Sequence, residues 1–266
     1  MKNQKVNNKG YLKDSQAYIL FIVSLFTLSI IIGIINANIL QDLINPLLQD
    51  IINKTENLNA FQLIVYIFVN NALTSFIGIL SGIFLGIMPL ITTISNGVIL
   101  GYVLERVTQI AGIAEIWRLF PHGIFELPAV FISLGLGLKL GIKPLANYLN
   151  YYKKNKLLTS LPFFIALFLS ILTASTLNNI EKNKALSDIP ENLLTPFLAL
   201  SAIIFYFALT FIIFILFTAL KDKKLRKIQI ASFKANITNS IKLFFRLIIP
   251  LLLIAAIIEG LLITVL

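Results

Sequence analysis

Long apolar runs separated by short charged segments dominate the pattern of this chain of 266 residues. The stretch from Phe61 to Leu104 has no charged residue, and as one helix it would be roughly twice as long as a membrane is thick. It must therefore form two spans, with a turn between Ser81 and Pro89, where glycine and proline interrupt the helical pattern. The apolar runs together predict seven spans, over residues 17–35, 61–82, 88–105, 121–138, 157–177, 194–220 and 243–264.

Three further segments have the composition of helices at a membrane surface. Residues 39–57 repeat apolar positions at helical spacing among polar ones, which predicts a helix that either docks on the bundle or binds a partner. Residues 105–120 form a short mixed segment with Trp117 near its end. Residues 221–242 are strongly basic and predict a helix on an anionic cytoplasmic leaflet. The predicted fold class is all-α, an integral membrane helical bundle of about seven transmembrane helices with short interfacial amphipathic helices, in one polytopic domain over residues 1–266.

The first apolar run has a second interpretation, as a signal peptide. The uncharged stretch from Ala17 to Ile35 is longer than the roughly 7–15 residues of a signal-peptide core. No cleavage site with alanine at both small positions follows it. A retained first span is therefore the preferred interpretation.

The distribution of positive charge predicts the topology. The net charge is +10, and 17 of the 22 lysines and arginines lie in three segments that share one side when the N-terminus is cytoplasmic. We therefore expect a multi-pass protein of the cell membrane with its N-terminus inside. The basic residues stand beside apolar runs, which is the pattern of membrane topology and not of a nucleic-acid partner.

Composition excludes several kinds of chemistry. The apolar share is 58% and the mean hydropathy +0.89, above the roughly 45–50% apolar share of soluble domains. With no cysteine and one histidine, the chain has no disulfides, no thiol catalysis and no two-histidine zinc site. We therefore expect no metal and no cofactor. Energised transport would need a partner subunit or an ion gradient, because the chain has no nucleotide-binding motif.

The single histidine lies one helical turn before a carboxylate, in the sequence Pro121-His122-Gly123 followed by Glu126. Positions four apart share a helix face, so His122 and Glu126 should point the same way. Pro128 removes one backbone hydrogen bond, which a membrane helix tolerates where protein or water satisfies the freed carbonyl. The pair should therefore face protein and not lipid.

Other polar residues also fall within predicted spans, Glu259 at a depth similar to that of Glu126 and three asparagines deeper. Glu259 is the only other carboxylate in an apolar span, and carboxylates in a bilayer are rare. The amides of Asn70, Asn71 and Asn96 must bond across helices or line a wet cavity. The predicted intramembrane polar cluster consists of His122, Glu126, Glu259, Asn70, Asn71 and Asn96.

Three interpretations of this cluster remain open. In the first, its hydrogen bonds only hold the helices together. In the second, it forms a proton or ion pathway, since such pathways use Asp, Glu and His at membrane depth. The third is catalysis, with His122 and Glu126 as acid and base. The chain has no nucleophile motif and too few ligands for a catalytic metal, so no catalytic residue is predicted and we expect a protein that is not an enzyme.

Several of these residues together resemble a known family. The matching positions are Asn70-Asn71, Asn96-Gly97 with Gly101, Pro121-His122-Gly123 with Glu126-Leu127 and Ala129, Gly135, Gly137, and Ala255-Ala256 with Ile258-Glu259. In order and approximate spacing they resemble the stage II sporulation protein M family of bacterial and archaeal membrane proteins.

The resemblance implies a polytopic helical protein without an established catalytic activity. In endospore-forming bacteria the family member is similar in role to a membrane anchor, needed for engulfment and for positioning cell-wall-degrading partners. We therefore expect a non-enzymatic membrane scaffold whose partners are the lipid bilayer and other membrane or envelope proteins. A homo-oligomer is left open. The alternative is a small permease or channel that uses the intramembrane His, Glu and Asn residues.

Overall fold

The computed structural model describes residues 8–181 and 191–265, with side chains over 10–116, 123–171 and 203–262. Every regular element in these residues is helical, which confirms the predicted fold class. The α-helices are α1 (Asn8–Lys13), α2 (Gln16–Ile35), α3 (Ala37–Thr55), α4 (Ala60–Leu80), α5 (Ile87–Ala111), α6 (Phe120–Tyr151), α7 (Lys156–Glu181), α8 (Glu191–Lys221), α9 (Lys223–Leu243) and α10 (Ile249–Val265). Short 3₁₀ segments cover Ser81–Ile83 and Ile113–Leu119, and a π-helical segment covers Phe244–Ile248.

Six described segments are long and apolar enough to cross a membrane. They are Gln16–Ile35, Ala60–Ile83, Ile87–Ala111, Gly123–Tyr151, Ile203–Lys221 and Lys223–Leu262. The remaining predicted span, residues 157–177, falls within α7. The turn predicted between the second and third spans is present, where Gly86 adopts the left-handed backbone (φ 76°) that glycine reaches without a steric cost.

The described helices group into two compact units. Unit 1 comprises Met1–Gly141 and Ala235–Leu266, and unit 2 comprises Ile142–Lys234. In unit 1, α2 packs along α5, α4 packs along α10, and α3 packs on α5. In unit 2, α7 packs on α8, with the ring of Phe163 edge-on to the buried ring of Phe211. The expectation of a single domain stays a prediction.

The centre of unit 1 is one stretch of α6, in which every residue from Ser133 to Gly141 is buried. A helix can be buried on all sides in this way only if its neighbours approach closely. Glycines permit the approach: a Cβ on Gly137 would collide with the backbone of Gly78, and one on Gly141 with the backbone around Gly86. The crossing of α6 with α4 therefore depends on backbone contact.

The predicted span over residues 121–138 ends just before Lys139, whereas the structure buries this lysine within a longer helix. Helix α6 continues to Tyr151, and Lys139 is only 3% exposed. Its ammonium donates to Ser15 Oγ at 3.0 Å and lies 3.7 Å from the centre of the Tyr11 ring. A lysine can be buried where its stem packs on apolar atoms and its charge finds polar and aromatic partners.

The Tyr11 hydroxyl extends this network to the C-terminal part of the chain. It donates to the backbone and side-chain oxygens of Asn236 and pairs with Ser240 Oγ, each at 3.1 Å. Tyr11 is buried, and this burial raises the pKa of the phenol to about 12, although the hydrogen bond with Ser240 lowers it in part. The short helix α1 is thereby fixed to α9 through a protonated phenol.

The boundary expected between a basic surface helix and the last span is absent. Helix α9 passes through the π-helical segment Phe244–Ile248 into α10, so one helical path runs from Lys223 to Leu262. The π turn precedes Pro250, which has no N–H to give to the carbonyl of residue 246. The N–H of Ile249 instead bonds to the carbonyl of Phe244, five residues earlier. The helix therefore continues where a break was predicted.

We predict that Gly137→Ala destabilises the protein by about 1–3 kcal/mol, the usual cost of overpacking a tight core. The added Cβ meets the backbone of Gly78, which cannot move aside as a flexible side chain would. Gly123→Ala is the matched control on the same helix, because among the described residues its Cβ would meet only Leu127 Cδ1, at an ordinary 3.7 Å. Thermal unfolding in detergent compares them, and equal melting temperatures would contradict the close crossing.

We also predict a pH-dependent role for the Tyr11 phenol. Since its pKa is raised from 10.0 to about 12 in the folded state, its contribution to stability is complete below pH 10 and is lost as the pH rises through 12. Tyr11→Phe should cost about 1–3 kcal/mol near neutral pH, because Asn236 and Ser240 lose a buried partner. The difference in melting temperature between wild type and variant, measured from pH 7 upward, should shrink above pH 10. A constant difference would refute the assignment.

Candidate functional site

Four helices of unit 1 carry the described residues of the predicted polar cluster. Asn70 and Asn71 lie halfway along α4, about 15 Å from its first residue. Asn96 lies in the first half of α5, Glu126 near the start of α6, and Glu259 in α10. The cluster therefore draws on segments far apart in sequence.

One cavity brings the three asparagines and Glu126 together. It has a volume of about 410 Å³, and its polar lining consists of Asn70, Asn71, Thr74, Asn96 and Glu126. Asn70, Thr74 and Asn96 are exposed, although they lie within helices long and apolar enough to span a membrane. Apolar side chains of α2, α5 and α6 complete the wall. Amides and a hydroxyl thus face open space at membrane depth.

A second cavity adds Glu259. It has a volume of about 450 Å³ and is lined by Asn70, Asn71, Glu126, Glu259 and Glu56, together with apolar residues of α3 and α4. The two cavities share Asn70, Asn71 and Glu126. We call this pair of adjoining cavities the polar groove.

The described lining of the polar groove is acidic in composition. Its described lining includes the carboxylates of Glu56, Glu126 and Glu259 and no lysine or arginine. One oxygen of Glu259, Oε2, is buried and accepts no hydrogen bond from any described residue. Because buried polar atoms are normally hydrogen-bonded, an occupant of the groove with a polar side chain could supply a partner that the described residues do not.

A capping box fixes the start of the helix that carries Asn70 and Asn71. The side chain of Asn59 accepts from the backbone N–H of Gln62, and the side chain of Gln62 accepts from the backbone N–H of Asn59, both at 3.0 Å. This reciprocal pair satisfies two of the unpaired donors at a helix N-terminus. It fixes the first residue of α4, 10 residues before Asn70.

Helix α3 forms one wall of the second cavity, and polar contacts hold it on α5. Tyr102 donates to Asn45 Oδ1 at 2.5 Å, and Arg106 donates to the Ala37 carbonyl at 3.2 Å and to Gln41 at 3.1 Å. Ile44 is buried against Tyr102. The docking directs the C-terminal end of α3, with Thr55, toward the second cavity.

The sequence left two interpretations of α3 open, docking on the bundle or binding a partner, and the structure shows docking. A second stripe on α3 remains exposed, formed by Ile39, Leu43, Leu47 and Ile51. The helix is therefore apolar on a docked face and on a free face, as an interfacial helix that also contacts lipid would be.

The structure places five of the six predicted residues along the polar groove. The sixth, His122, belongs to α6, but its side chain lies outside the described part of the chain. Thr74 was not predicted, although it lies four residues after Asn70 and so shares its helix face. Nor was Glu56, which reaches the groove only through the docking of α3. Among the described residues, no group of three or more His, Cys, Asp or Glu could hold a metal ion.

Comparisons with known proteins place the chain in a family. Neither the curated proteins nor the solved structures yield a match. The family model for stage II sporulation protein M matches residues 22–183, more than half of the chain. The matched range includes Asn70, Asn96 and Glu126 and ends before Glu259. The chain therefore belongs to the stage II sporulation protein M family of polytopic membrane proteins.

Proposed function

We propose that the protein is a non-enzymatic membrane scaffold that holds a partner membrane protein by a transmembrane helix seated along the polar groove. The observation that carries the proposal is the exposure of Asn70 and Asn96 within membrane-spanning helices. An amide left unpaired in hydrocarbon costs several kcal/mol, so lipid chains are a poor occupant. A partner helix with polar side chains at mid-span would supply the missing hydrogen bonds.

The size and charge of the groove favour this kind of partner. Cavities of about 410 and 450 Å³ hold a few side chains and not a whole helix, whose diameter is about 10–12 Å. The partner helix therefore lies along the mouth and inserts side chains from one face. The three carboxylates favour amide, hydroxyl or basic side chains on that face.

We further propose that the protein resides in the cell membrane with a cytoplasmic N-terminus, which the distribution of lysine and arginine supports. In that orientation α3 and the start of α4 lie on the outer side. The groove then lies toward the outer leaflet, and envelope proteins with a membrane anchor are suitable partners.

A small permease is the second candidate, and a specific observation favours it. Because Asn70, Asn71 and Glu126 line both cavities, polar groups follow one another from Asn96 to Glu259. Water in such a lining would carry a proton or a small cation between the two cavities. The two functions differ in a measurable way, since a scaffold conducts nothing.

The scaffold predicts a specific cross-link. A photo-reactive amino acid at Asn96 should give a discrete protein adduct in the membranes of cells that express the chain at its native level. The control is the same amino acid at Ile94, which is 41% exposed on the same helix and lines neither cavity. Adding Glu126→Gln should weaken the Asn96 adduct several-fold, and an adduct of twice the chain mass would identify a second copy as the partner. Equal yields of lipid adducts at both positions, without protein, would contradict the proposal.

Flux measurements separate the scaffold from the permease. We expect purified wild type in proteoliposomes to show no proton or cation flux above empty vesicles, and Glu126→Gln to behave alike. Glu105→Gln serves as the control, because Glu105 accepts from Gln109 outside the groove. Wild-type flux that Glu126→Gln abolishes, with melting temperature and the Glu105→Gln flux unchanged, would replace the scaffold by the permease.

A further inference from the structure

Two turns of the chain meet at one end of unit 2, and both are rich in lysine. The first lies between α6 and α7 and the second between α8 and α9. Their exposed lysines are Lys153, Lys154, Lys156, Lys221, Lys223, Lys224 and Lys227, which together we call the basic end.

A single aspartate joins the two turns. Asp222 accepts a hydrogen bond from the phenol of Tyr151, and this bond is the first cause that keeps the pKa of the carboxyl below its usual value. Its Oδ1 also accepts from the backbone N–H groups of Lys224 at 2.8 Å and Leu225 at 3.1 Å, which caps α9. Behind this contact, the Gln229 amide donates to the carbonyl of Pro144 at 2.9 Å. The one carboxylate here is thus occupied in holding the lysine turns together.

Apolar side chains surround the lysines on the helix side. Leu157 is 68% exposed and Leu220 is 70% exposed. The ammonium of Lys221 lies 4.3 Å from the centre of the Phe217 ring, which is itself half exposed. Lys221 also ends the apolar segment Ile203–Lys221, which is long enough to cross a membrane. The lysine ammonium groups therefore lie at the edge of an exposed apolar surface.

We propose that the basic end binds the phosphate headgroups of anionic phospholipids. Seven ammonium groups attract phosphate, and the exposed leucines and Phe217 accept the first carbons of the acyl chains. A soluble acidic protein or a nucleic acid would match the charge but leave these apolar side chains in water. The inference is independent of the polar groove, which lies in unit 1.

Quenching of a fluorophore at the basic end tests the proposal. The chain has no cysteine, so Leu157→Cys gives a single labelling position beside the lysines. In phosphatidylcholine vesicles, nitroxide-labelled phosphatidylglycerol should quench the label at a several-fold lower mole fraction than nitroxide-labelled phosphatidylcholine. The preference should decline with added salt, because the attraction is electrostatic. Equal quenching by the two lipids would overturn the proposal.

Charge-matched variants show whether the lysines themselves are responsible. Replacing Lys153, Lys154 and Lys156 by Gln removes three of the seven ammonium groups and should abolish most of this several-fold preference. Lys13, Lys234 and Lys242 are also exposed but lie outside the basic end. Replacing these three by Gln changes the net charge by the same amount and should leave the preference almost unchanged. If both triple variants lose the preference equally, net charge alone explains it and the basic end is not a site.

Two further experiments follow. A variant tests the link between the two turns, and a competition experiment distinguishes lipid from other sources of phosphate. Tyr151→Phe keeps every charge but removes the bond to Asp222, so the preference should weaken by a few-fold. An unchanged preference would overturn the role of the joined turns.

Excess inorganic phosphate or RNA should not displace the lipid. Displacement by either would assign the basic end to a soluble ligand and overturn the lipid assignment.

Discussion

The burial of α6 from Ser133 to Gly141 is the constraint on which unit 1 depends. Every backbone polar group of this stretch is satisfied within the helix, so its neighbours need only fill space around it. They do so by backbone contact, since Gly137 and Gly141 leave no room for a side chain at the crossing with α4. In a bilayer, where lipid is as apolar as the protein core, such close packing replaces the hydrophobic effect as the source of association.

The polar groups of unit 1 are of two kinds, buried groups with partners and exposed groups in the groove. Lys139, Tyr11 and Ser240 are buried with partners, and their bonds fix α1, α6 and α9 to one another. Asn70 and Asn96 are exposed in the groove. In the first arrangement the polar groups find their partners within the chain, and their role is to stabilise the packing of the helices. The second lacks an occupant that matches its polarity, which is the physical reason for seeking function there.

The membrane-spanning helices could be predicted from the sequence because the length of the apolar runs and the positions of charged residues determine where such helices form. The uncharged run from Phe61 to Leu104 had to turn, and the turn lies where glycine permits it. Five of the six polar residues line one groove, because in the expected topology each carboxylate lies near the same end of its span. Lys139 was misplaced because charge was taken to end a span, whereas Tyr11 and Ser15, more than 120 residues earlier, provide partners that no local pattern shows. The continuous path from α9 to α10 was missed for a different reason, since a π turn before Pro250 leaves little trace in the hydropathy.

The groove lies along α4 and α6, away from the glycine contact between these two helices. The two helices run parallel in chain direction and touch where Gly82 meets Gly137. Asn71 and Glu126 each lie 11 residues before that contact, about 16 Å along the helix axis. The first cavity lies at this distance from the contact, and it is lined by Asn71 of α4 and Glu126 of α6 together with side chains of α2 and α5. Glycines therefore hold the two helices in contact toward one end, and polar residues line the cavity toward the other.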